Sequence, residues 1–164
     1  MNDYRYAPGS DASKAAKPLI FSILLIIAFG LVHLYALLVV WAYGQDYEQV
    51  RPLAGPYMIG LSVAFGCIYL AIIFIGRGLA ARLDLKTAVS RAGTLIAVAG
   101  VLAFGGFFYL GQVAQIGGPA MLFGMIISVL GVIAVVLITR SITRRLAENA
   151  ATIDKLEYEL EGLV

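Results

Sequence analysis

Residues 118–164 read GPAMLFGMIISVLGVIAVVLITRSITRRLAENAATIDKLEYELEGLV, and the way this stretch divides decides the fold. From Pro119 to Thr139 it carries no charge. A run of about 20 apolar residues is what a helix needs to cross roughly 30 Å of hydrocarbon. Composition changes abruptly at Arg140, but the helical pattern continues. Ile142, Leu146, Ile153, Leu156, Leu160 and Leu163 alternate in steps of three and four, the a/d seam of a coiled coil, with Asn149 at one d-type position. Between Pro119 and Glu161 the only helix-weakening residues are Gly124 and Gly131. The expectation is one helix of about 45 residues, roughly 65 Å long, half in lipid and half outside it.

The rest of the chain agrees with a lipid setting. Hydrophobic residues make up 61% and charged residues 13%, against about 25% charged in soluble domains. Three more apolar runs precede the last one. The expected fold is all-α and polytopic, with four transmembrane helices at about 18–43, 56–76, 88–111 and 119–139, together a domain over 18–139. Residues 1–17, with no apolar period, read as a flexible N-terminal arm. Residues 140–164 read as a cytoplasmic helical tail. Pro18 and Pro56 suit the first turn of helices one and two. Trp41 and Tyr43 suit an aromatic belt. The first apolar run is too long for a cleavable leader and lacks a small-residue cleavage site.

Orientation follows from the basic residues. Of the twelve Lys and Arg, only Arg51 lies in the first or third connection. The others flank the arm, the middle connection (Arg77, Arg82, Lys86, Arg91) and the tail (Arg140, Arg144, Arg145, Lys155). Both termini are expected to be cytoplasmic, in a membrane of the bacterial cytoplasmic type. Arg140, Arg144 and Arg145 suit anionic lipid headgroups. A net charge of +2 without a basic stripe does not point to nucleic acid.

His33 is the only histidine and lies within the first span, on its outer half. An ionisable residue there is a functional candidate, as a ligand to haem or a hydrogen-bond partner of a quinone. The alternative is a histidine bonded between helices. No Asp, Glu, Lys or Arg accompanies it in the membrane interior, as ion-coupled pumping would require. Cys67 is the only cysteine, so neither a disulfide within the chain nor a cysteine metal cluster can form. No Ser/His/Asp set, HExxH, Walker loop or CxxC is present. These patterns point to no catalytic residues, no metal site and no enzyme.

Small residues recur at helical spacing: Gly60 and Ala64 on helix two; Gly93, Ala97 and Gly100 on helix three; Gly117, Gly124, Ser128 and Gly131 around helix four. In lipid, close approach at such residues supplies contact that the hydrophobic effect cannot. They serve packing within the chain or against other subunits. Along the tail, Ile142, Leu146, Asn149, Ile153, Leu156, Leu160 and Leu163 form a partner-binding seam, or else fold back over the second connection. Its basic start and acidic end disfavour parallel self-pairing in register.

The function expected from these patterns is that of a non-enzymatic structural or accessory subunit of a larger membrane complex. It would contact other membrane subunits or copies of itself. One alternative is a homo-oligomeric ion channel or pore, lined by Ser62, Thr94, Gln112 and Ser128. Another is a haem- or quinone-binding electron-transfer subunit using His33.

Overall fold

The structure is a computed structural model and describes residues 9–48, 50–80, 83–113 and 118–161. Four helices account for nearly all of them: α1 (Gly9–Asp46), α2 (Arg51–Leu79), α3 (Leu85–Val113) and α4 (Pro119–Glu161). Each contains a stretch long and apolar enough to cross a membrane. Among the described residues there is no strand.

Helices begin earlier than the apolar runs do. α1 opens at Gly9, so residues 9–17 are helical and Pro18 lies inside the helix. Ala12, Ala15 and Ala16 are strong helix formers and supply the reason. Ser22 donates its hydroxyl to the Pro18 carbonyl at 2.9 Å, which satisfies an otherwise buried polar side chain. α2 opens at Arg51 rather than Pro56, because Pro52 occupies the first turn, where its missing N–H costs nothing. The first connection is therefore much tighter than the Gly44–Gly55 span of polar sequence implies. At its far end α2 runs on to Leu79, so Arg77 lies within the helix.

α3 starts on a cap. Asp84 accepts hydrogen bonds from the backbone N–H and the hydroxyl of Thr87, both at 2.8 Å. The backbone bond, then the hydroxyl bond, hold its carboxyl below the ordinary carboxylate range. A lowered native pKa means the cap contributes above the ordinary carboxylate pKa and is lost as pH falls through the lowered one. The protection factor of the Thr87 amide, its exchange rate taken relative to the intrinsic rate at each pH, should therefore fall on acidification in the native protein. In Asp84→Ala protection should be low throughout, and in Asp84→Asn it should show no step over that range. A step retained in Asp84→Asn would contradict the assignment.

The helices alternate in direction, and each packs only on its neighbours in sequence: α1 on α2, α2 on α3, α3 on α4. Among the described residues α4 does not return to α1, so the row stays open. The most buried apolar residues are all alanines: Ala64, Ala71, Ala80, Ala88, Ala92 and Ala99. Large side chains such as Phe21, Leu31, Leu122 and Leu130 point outward, more than half exposed. An apolar surface this extensive is untenable in water and natural in hydrocarbon.

Glycines set the levels at which neighbours meet. Gly76 lies on Ser22, Gly78 on Ala88, Gly106 on the Tyr57 ring, Gly93 on Thr139, Gly100 on Val132 and Gly124 on the Phe107 ring. α4 runs without a break from Pro119 to Glu161. Gly93 opposite Thr139 and Gly100 opposite Val132 set an antiparallel register that brings the start of α3 level with about residue 147. Leu146 is the last half-buried residue, and every residue from Ala147 through Leu160 is exposed. About 20 Å of helix thus projects past the rest of the row.

Candidate functional site

His33 sits where α1 crosses the middle of α2. Its ring stacks on Phe65, with centroids 4.5 Å apart and planes 6° from parallel. Its Nδ1 lies 3.2 Å from the Tyr69 hydroxyl and its Nε2 3.2 Å from the Ser62 hydroxyl. Ser62, Phe65 and Tyr69 share a face because positions three, four and seven apart on a helix do. A neutral imidazole needs one acceptor and one donor, and hydroxyls can supply either. Both tautomers are therefore satisfied, with each hydroxyl donating to the unprotonated nitrogen or accepting from the protonated one.

His33 is level with Phe65, the central residue of α2. Both ring nitrogens are also engaged within the chain, so ligation of a haem iron or a bond to a quinone requires one of these hydroxyls to give way. The sequence pattern offers Ser62 only as a candidate pore lining and singles out neither Phe65 nor Tyr69. A signal was available: across a tight hairpin, residues equidistant from the turn face one another, and His33 and Phe65 are each sixteen residues from Gln49.

The small-residue positions divide. Gly93, Gly100 and Gly124 are contact points between α3 and α4, and Ala64 is 7% exposed. Ala97 is half-buried on α3. Gly60 and Gly131 have open space where a side chain would stand. Gly117 lies outside the described residues. The Ser128 hydroxyl donates to the Gly124 carbonyl and the Thr94 hydroxyl to the Ser90 carbonyl. Ser62 turns to α1 and Ser128 lies against α3, so a single open row gathers these residues around no common lumen.

No protein-family model, curated protein or solved structure matches this chain.

One end of the row gathers charge. Lys17, Arg77, Lys86, Arg91 and the Arg140, Arg144 and Arg145 group all lie there, because the helices alternate. The Arg91 guanidinium lies 5.6 Å from the centroid of the Phe74 ring, a cation–π contact. Arg144 pairs with Glu148 at 2.7 Å and Lys155 with Glu159 at 3.9 Å. Both are exposed pairs four residues apart, each worth about 0.3–0.5 kcal/mol. The seam residues Ile142, Ile153, Leu156 and Leu160 are 40–63% exposed. Asn149 is exposed, Leu146 half-buried, and Leu163 lies outside the described residues. Folding back over the second connection would cover the seam, and the seam is uncovered.

Proposed function

We propose that this chain is a non-enzymatic, integral membrane accessory subunit of a larger membrane complex, docked on other subunits through its C-terminal helix. The supporting observation is the unbroken α4 with the exposed apolar seam on its projecting part. A rigid helix carrying Ile153, Leu156 and Leu160 outward exposes a stripe that nothing else among the described residues covers, and a partner helix in coiled-coil register would bury it. The four helices span the bilayer with both termini on the cytoplasmic side, since that end of the row holds, among the described residues, every Lys and Arg but Arg51. Arg140, Arg144 and Arg145 meet anionic headgroups there. The open row adds to the reading, because α1 and α4 each keep a whole flank available to neighbours in the membrane.

Mild-detergent extraction from native membranes, followed by mass and partner identification, is the test. Unrelated subunits should co-purify at fixed ratio, and Leu156→Ala should loosen the association about tenfold by removing one buried apolar side chain. A lone monomer, or a ring of this chain alone, would overturn the proposal.

A further inference from the structure

A cleft of about 510 Å³ opens between α2 and α3 in the half of the row nearer the first connection. Its volume lies in the range of ligand sites, and its wall is apolar apart from tyrosines. Gly60, Ala64 and Gly105 form part of that wall, with Tyr57 and Tyr109 among the residues nearer its outer end.

Gly60 and Gly105 differ from the glycines at the helix contacts. A side chain at Gly93, Gly100 or Gly124 would collide with the neighbouring helix, whereas one at Gly60 or Gly105 would meet nothing within 4 Å. Glycine inside a helix costs about 1 kcal/mol relative to alanine. At Gly60 and Gly105 no helix contact offsets that cost, and the consequence of the missing side chains is the space itself. Tyr57 packs its ring on Gly106 and helps bound the cleft. Among the described residues, neither the Tyr57 nor the Tyr109 hydroxyl makes a hydrogen bond, unlike that of Tyr69. From Tyr57 to Ala64 the wall descends about 10 Å along α2.

We propose that this cleft binds one acyl chain of a zwitterionic glycerophospholipid, with the Tyr57 and Tyr109 phenols donating to its ester carbonyls. The depth suits the upper part of a chain descending from the interface. The head group is selected by charge: Asp46 and Glu48 beside Arg51 leave the first connection net acidic, which favours an ammonium and disfavours an anionic head. The inference rests on the reading that the helices span a bilayer, but not on any partner of the tail.

The test uses the full chain in phosphatidylcholine vesicles containing a small fraction of phosphatidylcholine with a photoreactive group in its acyl chain. After irradiation, labelled peptides are mapped. Residues 57–64 and 101–109 should carry several-fold more label than the exposed face of α1 around Leu31. Gly60→Leu with Gly105→Leu should lower cleft labelling about fivefold and leave α1 labelling unchanged. Tyr57→Phe with Tyr109→Phe, which keeps the shape, should lower it about threefold, the joint effect of losing both phenol hydrogen bonds. Unlabelled ester-linked phosphatidylcholine should compete better than its ether-linked analogue or phosphatidylglycerol. Cleft labelling no greater than on α1, or unchanged in both variants, would overturn the proposal. So would an isoprenoid quinone that displaces the label better than the phospholipid. Absence of label from α1 as well would instead sink the spanning reading.

Discussion

Gly93→Leu is expected to destabilise the protein by about 3 kcal/mol, the upper part of the range for forcing atoms into a packed contact. The position is unforgiving because a methyl group at Gly93 would already fall on the Oγ1, Cγ2 and Cβ of Thr139. Thr139 is β-branched and within α4, where χ1 has few alternatives. Relief therefore requires α3 and α4 to move apart, and with them the other close approaches, at Gly100 and Val132 and at Gly124 and Phe107. Unfolding in mixed micelles titrated with dodecyl sulfate measures the effect. Gly131→Leu serves as the comparison, since a side chain there meets nothing, and should stay within about 0.5 kcal/mol of the native chain. Gly93→Ala should be rescued in part by Thr139→Ala, which removes Oγ1 and Cγ2 and leaves the Cβ. Equal effects at Gly93 and Gly131 would disprove the assigned α3–α4 contact.

His33→Ala is expected to cost about 2 kcal/mol, from two interhelical hydrogen bonds and the stack on Phe65. Tyr69→Phe and Ser62→Ala, each removing one bond, should cost about 0.6 kcal/mol apiece, the average for such bonds in a membrane protein. The effects should not add. A double-mutant cycle between His33 and Tyr69 should return a coupling of about 0.5 kcal/mol or more, and likewise with Ser62. The same equilibrium unfolding assay reads both cycles. Strict additivity would mean that the hydroxyls do not hold the imidazole.

The helices themselves were legible because apolar runs of this length have few other uses. Their starts were less so. Pro18 and Pro56 looked like openers, but the alanines before Pro18 and the second proline, Pro52, carry the helices further back. The small residues were legible as a set and illegible as individuals. Gly124 and Gly131 stand seven apart and look equivalent in sequence. Gly124 meets the Phe107 ring, whereas level with Gly131 helix α3 presents Val101, turned outward and 59% exposed. What separates them is the side chain on the other helix, which periodicity within one helix cannot supply. His33 shows the same limit: its presence was plain, but its partners followed only once the turn had fixed the register. The open end of the row was not legible at all, since four apolar helices with short connections serve a closed bundle equally well.

That open row also bears on how the chain acquires its structure. Among the described residues every interface joins consecutive helices, so each hairpin can assemble as soon as its second helix has been synthesised. Contacts this local favour rapid folding. They also make the molecule behave as a linear array of nearest-neighbour couplings, without the all-or-none closure of a ring. Damage to the α3–α4 interface should release α4 and leave the α1–α2 hairpin with its histidine intact, so the two ends of this protein can fail separately.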